Sequence, residues 1–112
     1  MKKIECIVRP GCLDELIVVV EKFGITGLNV TQVAGYGSQK GSKKTYRGVE
    51  YDVKLKEKLK IEIVVEEEQV EELLDSIIEV ARTDTVGDGK IFISPVEEAV
   101  RVRTGERGTE AI

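Results

Sequence analysis

The chain has 112 residues, which is enough for one domain with a single hydrophobic core. Hydrophobic residues make up 41% and charged residues 34%, and the net charge of -4 argues against a general nucleic-acid-binding protein. The chain contains no histidine, which excludes Ser-His-Asp and Cys-His catalysis as well as mixed Cys/His metal sites.

The first part of the chain predicts a strand, a helix and a second strand. Apolar and polar residues alternate from Ile4 to Val8, as in a strand, and Pro10 ends it. Apolar residues recur with helical spacing over residues 13–23, and Gly24 follows at the position where glycine commonly ends a helix. Residues 27–37 are rich in Val and Thr and predict the second strand.

The rest of the chain predicts a long loop followed by a second strand-helix-strand unit. Residues 38–54 show neither period, and a loop of this length in a compact domain is usually functional or disordered. Residues 59–65 alternate as in a strand, residues 70–81 have the clearest helical pattern, and residues 90–96 predict a fourth strand. Residues 100–103 alternate again and predict a short extended segment.

This element order is typical of an α+β, ferredoxin-like βαββαβ sandwich with a long loop between strands 2 and 3. We expect a single domain over residues 1–112, with the loop at about 37–55 and a C-terminal tail at about 97–112. Two helices cover one face of such a sheet. The other face, which includes Lys58, Lys60 and Glu62, must be exposed or buried by another subunit.

Cysteine usage and hydropathy predict the compartment. Cys6 and Cys12 lie six positions apart, which is not a chelating spacing, so we expect two free thiols in a reducing compartment. No apolar run approaches the ~20 residues that span a bilayer, and no hydrophobic segment follows the basic first residues. Both observations predict a cytoplasmic protein.

Two glycine-containing segments are candidate anion sites. The glycines at positions 35, 37 and 41 have the wrong spacing for a dinucleotide fingerprint, but they permit a bend through which backbone can approach an anion. Residues 83–90 do not form a P-loop, yet the glycines on either side of Asp88 can turn N–H groups toward phosphate, and Lys90 adds a charge. An ordinary helix-to-strand turn explains the second segment equally well.

Arg101 and Arg103 form the third candidate site. In an extended segment, residues i and i+2 point to the same side, and two guanidinium groups on one side suit a polyphosphate. Ordinary surface charge is the alternative explanation.

Two longer stretches connect these sites to a known family. Residues 46–51, Tyr-Arg-Gly-Val-Glu-Tyr, and residues 83–96 strongly resemble the two signature segments of the PII nitrogen-regulatory signal-transduction proteins. The similarity extends along the whole chain and includes residues 60–65 and 101–106. It implies a ferredoxin-like homotrimer that signals nitrogen, carbon and energy status. Members bind ATP or ADP in clefts between subunits, and bind 2-oxoglutarate with Mg²⁺ beside ATP.

The resemblance implies specific roles at the nucleotide site. The phosphates would lie in a cradle of four residues: Gly87, Asp88, Gly89 and Lys90. Arg101 and Arg103 would reach them from the tail of a neighbouring subunit. The nucleotide cleft would also be lined by Gly35, Gly37 and Val64.

The resemblance also implies a 2-oxoglutarate site where the second strand meets the loop. Gln39 would help to hold Mg²⁺, and Lys58 would pair with a 2-oxoglutarate carboxylate. Lys40 and Gly41 follow Gln39, and backbone N–H groups near Gly41 would contact the same ligand. Ser38 stands where the family commonly has Arg, so one phosphate contact is lost or replaced by a hydroxyl.

The long loop is where the resemblance places regulation. Tyr51 matches a tyrosine that many bacterial members have nucleotidylated, and a nucleotidylyltransferase would be the modifying partner. Other implied partners are an ammonium transporter, glutamine synthetase, and nitrogenase-related or transcriptional regulators. We expect no nucleic-acid partner, contact with a membrane only through a transporter, and no catalysis of consequence.

Three alternatives stay open at this stage. One is a CutA-like trimeric protein with a structural or metal-tolerance role and no nucleotide. Another is a sensor of adenylates alone. The third, a nucleic-acid-binding ferredoxin-like domain, needs aromatic side chains on the open sheet face, and the chain has only two Phe and three Tyr.

Overall fold

The computed structural model describes residues 1–37 and 55–112 in full and, between them, the backbone of two short strands. Besides three short 3-10 helices, the chain forms two α-helices and six strands within this part: β1 (Lys2–Val8), α1 (Leu13–Lys22), β2 (Asn29–Gly35), β3 (Lys43–Tyr46), β4 (Val49–Asp52), β5 (Lys56–Val65), α2 (Val70–Ala81) and β6 (Gly89–Pro95).

Four strands form one antiparallel sheet in the order β2-β5-β1-β6. Strand β1 is central and pairs with β5 through Ile4↔Ile63 and with β6 through Ile4↔Ile93. This strand order and the two helices confirm the predicted ferredoxin-like α+β fold. The topology brings the end of β1 beside the start of β6, and the end of β2 beside the start of β5.

The predicted loop contains a second, smaller sheet. Strands β3 and β4 pair antiparallel, with Lys43 opposite Asp52 and Tyr46 opposite Val49. Each strand has four residues, too few for a period of two to stand out in the sequence. Strand β5 also begins earlier than predicted, at Lys56, because Lys56 and Lys58 pair with the end of β2.

Alternation along the strands places the core between the sheet and the helices. The buried positions of β5 are Leu59, Ile61, Ile63 and Val65, and they pack with Leu73 and Ile77 of α2. Helix α1 contributes Leu16, Val19 and Val20. Its end is as predicted: Gly24 has φ +72°, and its N–H donates to the Glu21 carbonyl.

Both cysteines are free thiols, as predicted. Cys6 points into the core from β1, and burial raises the pKa of its thiol to about 11. Cys12 is half-buried, and its thiol donates to the Arg9 carbonyl at 3.0 Å. Burial also raises the pKa of Cys12, so neither thiol is a thiolate at neutral pH.

The sheet face opposite the helices is charged, as the sequence predicted. Lys60 and Glu62 alternate with the buried apolar residues of β5. They form ion pairs across to β1, where Lys3 lies 3.2 Å from Glu62 and Lys60 lies 3.9 Å from Glu5. We call this surface the open face. Neither of the two helices in the described part of the chain is long and apolar enough to cross a membrane.

Candidate functional site

A cavity of about 320 Å³ lies at one end of the open face, and we call it the glycine-loop cavity. It gathers six residues that the sequence singled out from three separate segments: Gly35, Gly37, Lys58, Gly87, Gly89 and Lys90. The sheet topology explains this convergence, because Gly35 pairs with Lys56 and Gly89 pairs with Val8 at the same end of the sheet. Ile7 and Phe92 add apolar surface to its wall.

Two glycines shape the loop that borders this cavity. Gly87 and Gly89 have φ +102° and +107°, values that L-residues rarely adopt. At Gly89 the backbone also passes very close to β1, since a Cβ there would lie 1.9 Å from the Ile7 carbonyl oxygen. Gly89 is therefore required both by its backbone angle and by the lack of space.

Lys58 connects the floor of the cavity to this loop. Its side chain is buried, with 9% of the residue exposed, and its Nζ donates to the Gly87 carbonyl at 2.7 Å. Burial lowers the pKa of the Lys58 ammonium, and the neighbouring charges of Arg9 and Lys56 lower it further. A buried cation at this position favours an anionic ligand in the cavity.

Arg9, the residue that follows β1, anchors the same loop, a role that the sequence did not predict. Its Nη1 donates to Thr83 Oγ1 at 2.6 Å and to Asp88 Oδ1 at 2.5 Å. Its Nη2 donates to Thr85 Oγ1 at 3.0 Å and to the Val86 carbonyl at 2.7 Å. One guanidinium therefore holds four residues of a six-residue loop in a fixed shape.

Asp88 works within the loop rather than at its surface toward the cavity. Its Oδ2 accepts from the Thr83 backbone N–H at 2.7 Å, and its Oδ1 accepts from the Thr83 hydroxyl and from Arg9. The hydrogen bonds from Thr83, followed by the charge of Arg9, lower the pKa of the Asp88 carboxyl. Asp88 is absent from the residues that line the glycine-loop cavity. Its contacts hold the loop that carries Gly87 and Gly89.

A second cleft, of about 730 Å³, lies at the other end of the open face, and we call it the tail cleft. Val64 and Arg101 line it together with Asn29 and Glu62. Lys58 and Val64 are six residues apart on β5, which corresponds to about 20 Å along a strand. Val64 and Arg101 therefore do not share a cavity with the glycine loop in the same chain.

The predicted extended segment at 100–103 is wrong. Residues 102–104 form a turn, in which the Gly105 N–H donates to the Arg101 carbonyl at 2.7 Å. Gly105 has φ +73°, which reverses the chain and brings Arg101 Nη1 within 3.0 Å of Glu106 Oε1. The argument that Arg101 and Arg103 share one side of a strand therefore fails, and Arg103 lies exposed in the turn.

Several predicted site residues lie outside the described residues. They are Ser38, Gln39, Lys40 and Gly41. Tyr51 belongs to β4, but only the backbone of that strand is described. The expected roles of these five residues stay predictions.

The described residues contain no group of three or more His, Cys, Asp or Glu side chains that could hold a metal ion. Mg²⁺ is commonly held by only one or two protein groups, with nucleotide phosphates and water completing its shell. As far as residues 1–37 and 55–112 are concerned, the implied Mg²⁺ would fit only in that manner, with most of its ligands supplied by the nucleotide.

Comparison with known proteins shows similarity along the entire chain. A family profile described as "Nitrogen regulatory protein P-II" matches residues 1–106. Proteins named "Nitrogen regulatory protein P-II" from Microchaete diplosiphon, Synechocystis sp. and Azospirillum brasilense are 55%, 54% and 50% identical over 112 residues. Each of these alignments covers 100% of both chains.

Proposed function

Because this chain belongs to the P-II family of nitrogen regulatory proteins, we propose that it senses nitrogen and energy status by binding adenine nucleotides between neighbouring copies of itself. The observation that carries the proposal is the placement of two complementary half-sites at opposite ends of one open face. One end offers a glycine loop and a cavity lined by three lysines, Lys56, Lys58 and Lys90, and the other end offers an arginine beside a larger cleft.

The glycine-loop cavity would hold the phosphates of ATP or ADP. Backbone N–H groups at glycines with positive φ can point together at an anion, and Lys90 adds a positive charge at the same wall. Arg9 would act indirectly, by fixing the loop through Thr83, Val86 and Asp88 before the nucleotide arrives. A loop fixed in advance loses less conformational entropy on binding.

The tail cleft would complete the site from the neighbouring copy. Val64 would line the nucleotide cleft and Arg101 would meet the phosphates, since both residues line the tail cleft. Because these residues lie at the far end of their own chain's sheet, one copy alone cannot bring both halves to the same nucleotide. A head-to-tail arrangement that closes on itself joins them, and we infer a ring of three with one cleft at each interface.

2-Oxoglutarate would bind beside ATP near Lys58. The Lys58 ammonium would pair with one carboxylate of the ligand, and Mg²⁺ would be shared between the ligand, the nucleotide phosphates and Gln39. The metal is required because the second carboxylate otherwise faces the like charge of the phosphates. Binding there would favour some conformations of residues 38–54 over others. This segment lies between β2 and β5 in the chain and contains Tyr51.

Residues 38–54 would be the part of the chain that contacts partners. The proposed partners are an ammonium transporter, glutamine synthetase, and nitrogenase-related or transcriptional regulators. A nucleotidyl group on Tyr51 would change the charge and bulk of this surface. The protein would act by binding and would not catalyse a reaction.

Complementation between two damaged half-sites tests the shared cleft. Lys90→Ala and Arg101→Ala each remove a charge-assisted phosphate contact, so each variant alone should bind ATP at least about tenfold more weakly by calorimetry. When equal amounts are unfolded and refolded together, about one quarter of the clefts should receive both native halves and bind ATP normally.

The controls separate this outcome from general effects of mutation. Lys22→Ala removes an exposed lysine at the end of α1 and should retain full binding capacity. Either variant refolded alone should recover no tight sites. Absence of tight sites in the mixture, or a monomeric mass by light scattering of the native protein, would contradict a cleft shared between copies.

Removal of the metal or of the γ-phosphate tests the 2-oxoglutarate site. In calorimetric titrations, 2-oxoglutarate should bind measurably with Mg²⁺ and ATP, and far more weakly with Mg²⁺ and ADP or with ATP and EDTA. By linkage, 2-oxoglutarate should raise the affinity for ATP by the same factor by which ATP raises the affinity for 2-oxoglutarate, typically about 5–150-fold. Equal affinity under all three conditions would reduce the proposal to a sensor of adenylates alone.

A further inference from the structure

The backbone around Arg101 forms a small closed hairpin. Val100 pairs with Arg107 in an isolated antiparallel bridge, and the Arg101 N–H donates to the Glu106 carbonyl at 2.9 Å. The Gly105 N–H donates back to the Arg101 carbonyl at 2.7 Å. These bonds fix the backbone at Arg101, but they leave the direction of its long side chain to be set by other contacts.

The Glu106 carboxylate makes that contact and is itself held in place. Its Oε1 accepts from Arg101 Nη1 at 3.0 Å and from the Thr104 hydroxyl at 2.7 Å. The Thr104 hydroxyl oxygen in turn accepts from the Glu106 backbone N–H at 3.2 Å. Thr104 thus orients the carboxylate, and the carboxylate orients the guanidinium.

The guanidinium is only partly used by this pairing. Arginine has five N–H donors in a planar fork, and Glu106 is the only hydrogen-bond or ion-pair partner of the Arg101 side chain among the described residues. The Arg101 side chain is 39% exposed and lines the tail cleft. Most of its donors therefore remain available to an anion, while one is held by Glu106.

We propose that Glu106 is a positioning residue that presents Arg101 to the phosphates of a nucleotide held by the neighbouring copy. This inference rests on the proposed function of the two half-sites. Arginine has several rotatable bonds, and holding it in advance in the binding orientation removes an entropic cost that the nucleotide would otherwise bear. The negative charge of Glu106 opposes the phosphates, so its benefit comes from orientation and not from charge.

A pair of substitutions at Glu106 separates orientation from charge. Glu106→Ala removes the acceptor and should weaken ATP binding by about fivefold, the effect of freeing one long side chain. Glu106→Gln keeps an acceptor oxygen and loses the charge, so its ATP affinity should equal or exceed that of the native protein. Glu110→Ala removes an exposed carboxylate from the same tail and serves as the control for net charge.

A double-mutant cycle with Arg101 distinguishes positioning from a general effect on the tail. If Glu106 acts through Arg101, Glu106→Ala should cause no further loss of ATP affinity in an Arg101→Ala background. The same loss in both backgrounds would assign Glu106 a merely structural role and overturn the proposal. Unchanged or tighter ATP binding by Glu106→Ala alone would overturn it too.

The native protein shows which of the two proposals has failed. If the native chain binds ATP and Glu106→Ala binds it equally well, the positioning role fails and the proposed function stands. If the native chain binds no ATP, the proposed function fails, and the positioning role fails with it.

Discussion

Gly89→Ala should lower the free energy of unfolding by about 3 kcal/mol or more, because it combines an unfavourable backbone angle with a backbone clash. The added Cβ would lie 1.9 Å from the Ile7 carbonyl oxygen and 3.1 Å from Val8 Cα. Both atoms belong to the backbone of β1, so relief requires β1 and β6 to move apart where they pair. The same movement would deform the glycine-loop cavity, so we expect it also to weaken the proposed binding of nucleotide there.

Gly24→Ala is the matched control for this substitution. Gly24 also has positive φ, +72°, but no atom lies within 4 Å of a Cβ built there. The free energy of unfolding of this variant should fall only by the cost of the unfavourable backbone angle, about 1–2 kcal/mol. Urea unfolding followed by circular dichroism at one fixed chain concentration measures both values. Equal losses in the two variants would show that the approach of Ile7 to Gly89 has no energetic consequence.

Ile77→Ala should destabilise the protein by about 2–5 kcal/mol, since it leaves a cavity beneath α2. Ile77 is 0% exposed, whereas the adjacent Ile78 is 36% exposed. Ile78→Ala makes the same chemical change in the same helix, with the same gain in helix propensity, and should cost about 1 kcal/mol or less. The difference between the urea midpoints of the two variants measures the contribution of burial to stability. Similar midpoints would contradict the assignment of Ile77 to the core.

The sequence predicted most accurately the elements whose pattern is set by the core. The helix over residues 70–81 was predicted to the residue, because its apolar positions recur with the helical period over three turns. The antiparallel pair of β3 and β4 was missed because each strand has only four residues, too few for a period of two to stand out in the sequence. The alternation over residues 100–103 predicts an extended segment, and the structure differs because Gly105, with φ +73°, turns the chain back.

The candidate site was predicted in its parts, and its arrangement depended on the tertiary fold. Gly35, Lys58 and Gly89 were recognised separately, and only the strand order places them around one cavity. Arg9 was missed because its partners are 74 to 79 residues away. A signal was present, since a ferredoxin-like order places the end of the first strand beside the start of the last.

The separation between Arg9 and its loop has a consequence for the order of folding. Thr83, Thr85 and Asp88 are 74 to 79 residues away from Arg9 along the chain, and bringing such distant residues together costs entropy that other contacts must offset. We therefore expect the loop to acquire its shape late, once β6 has docked on β1. A nascent chain that still lacks β6 would already contain β1, β2, β5 and both α-helices, but we expect it to lack the anchored loop that we propose holds a phosphate.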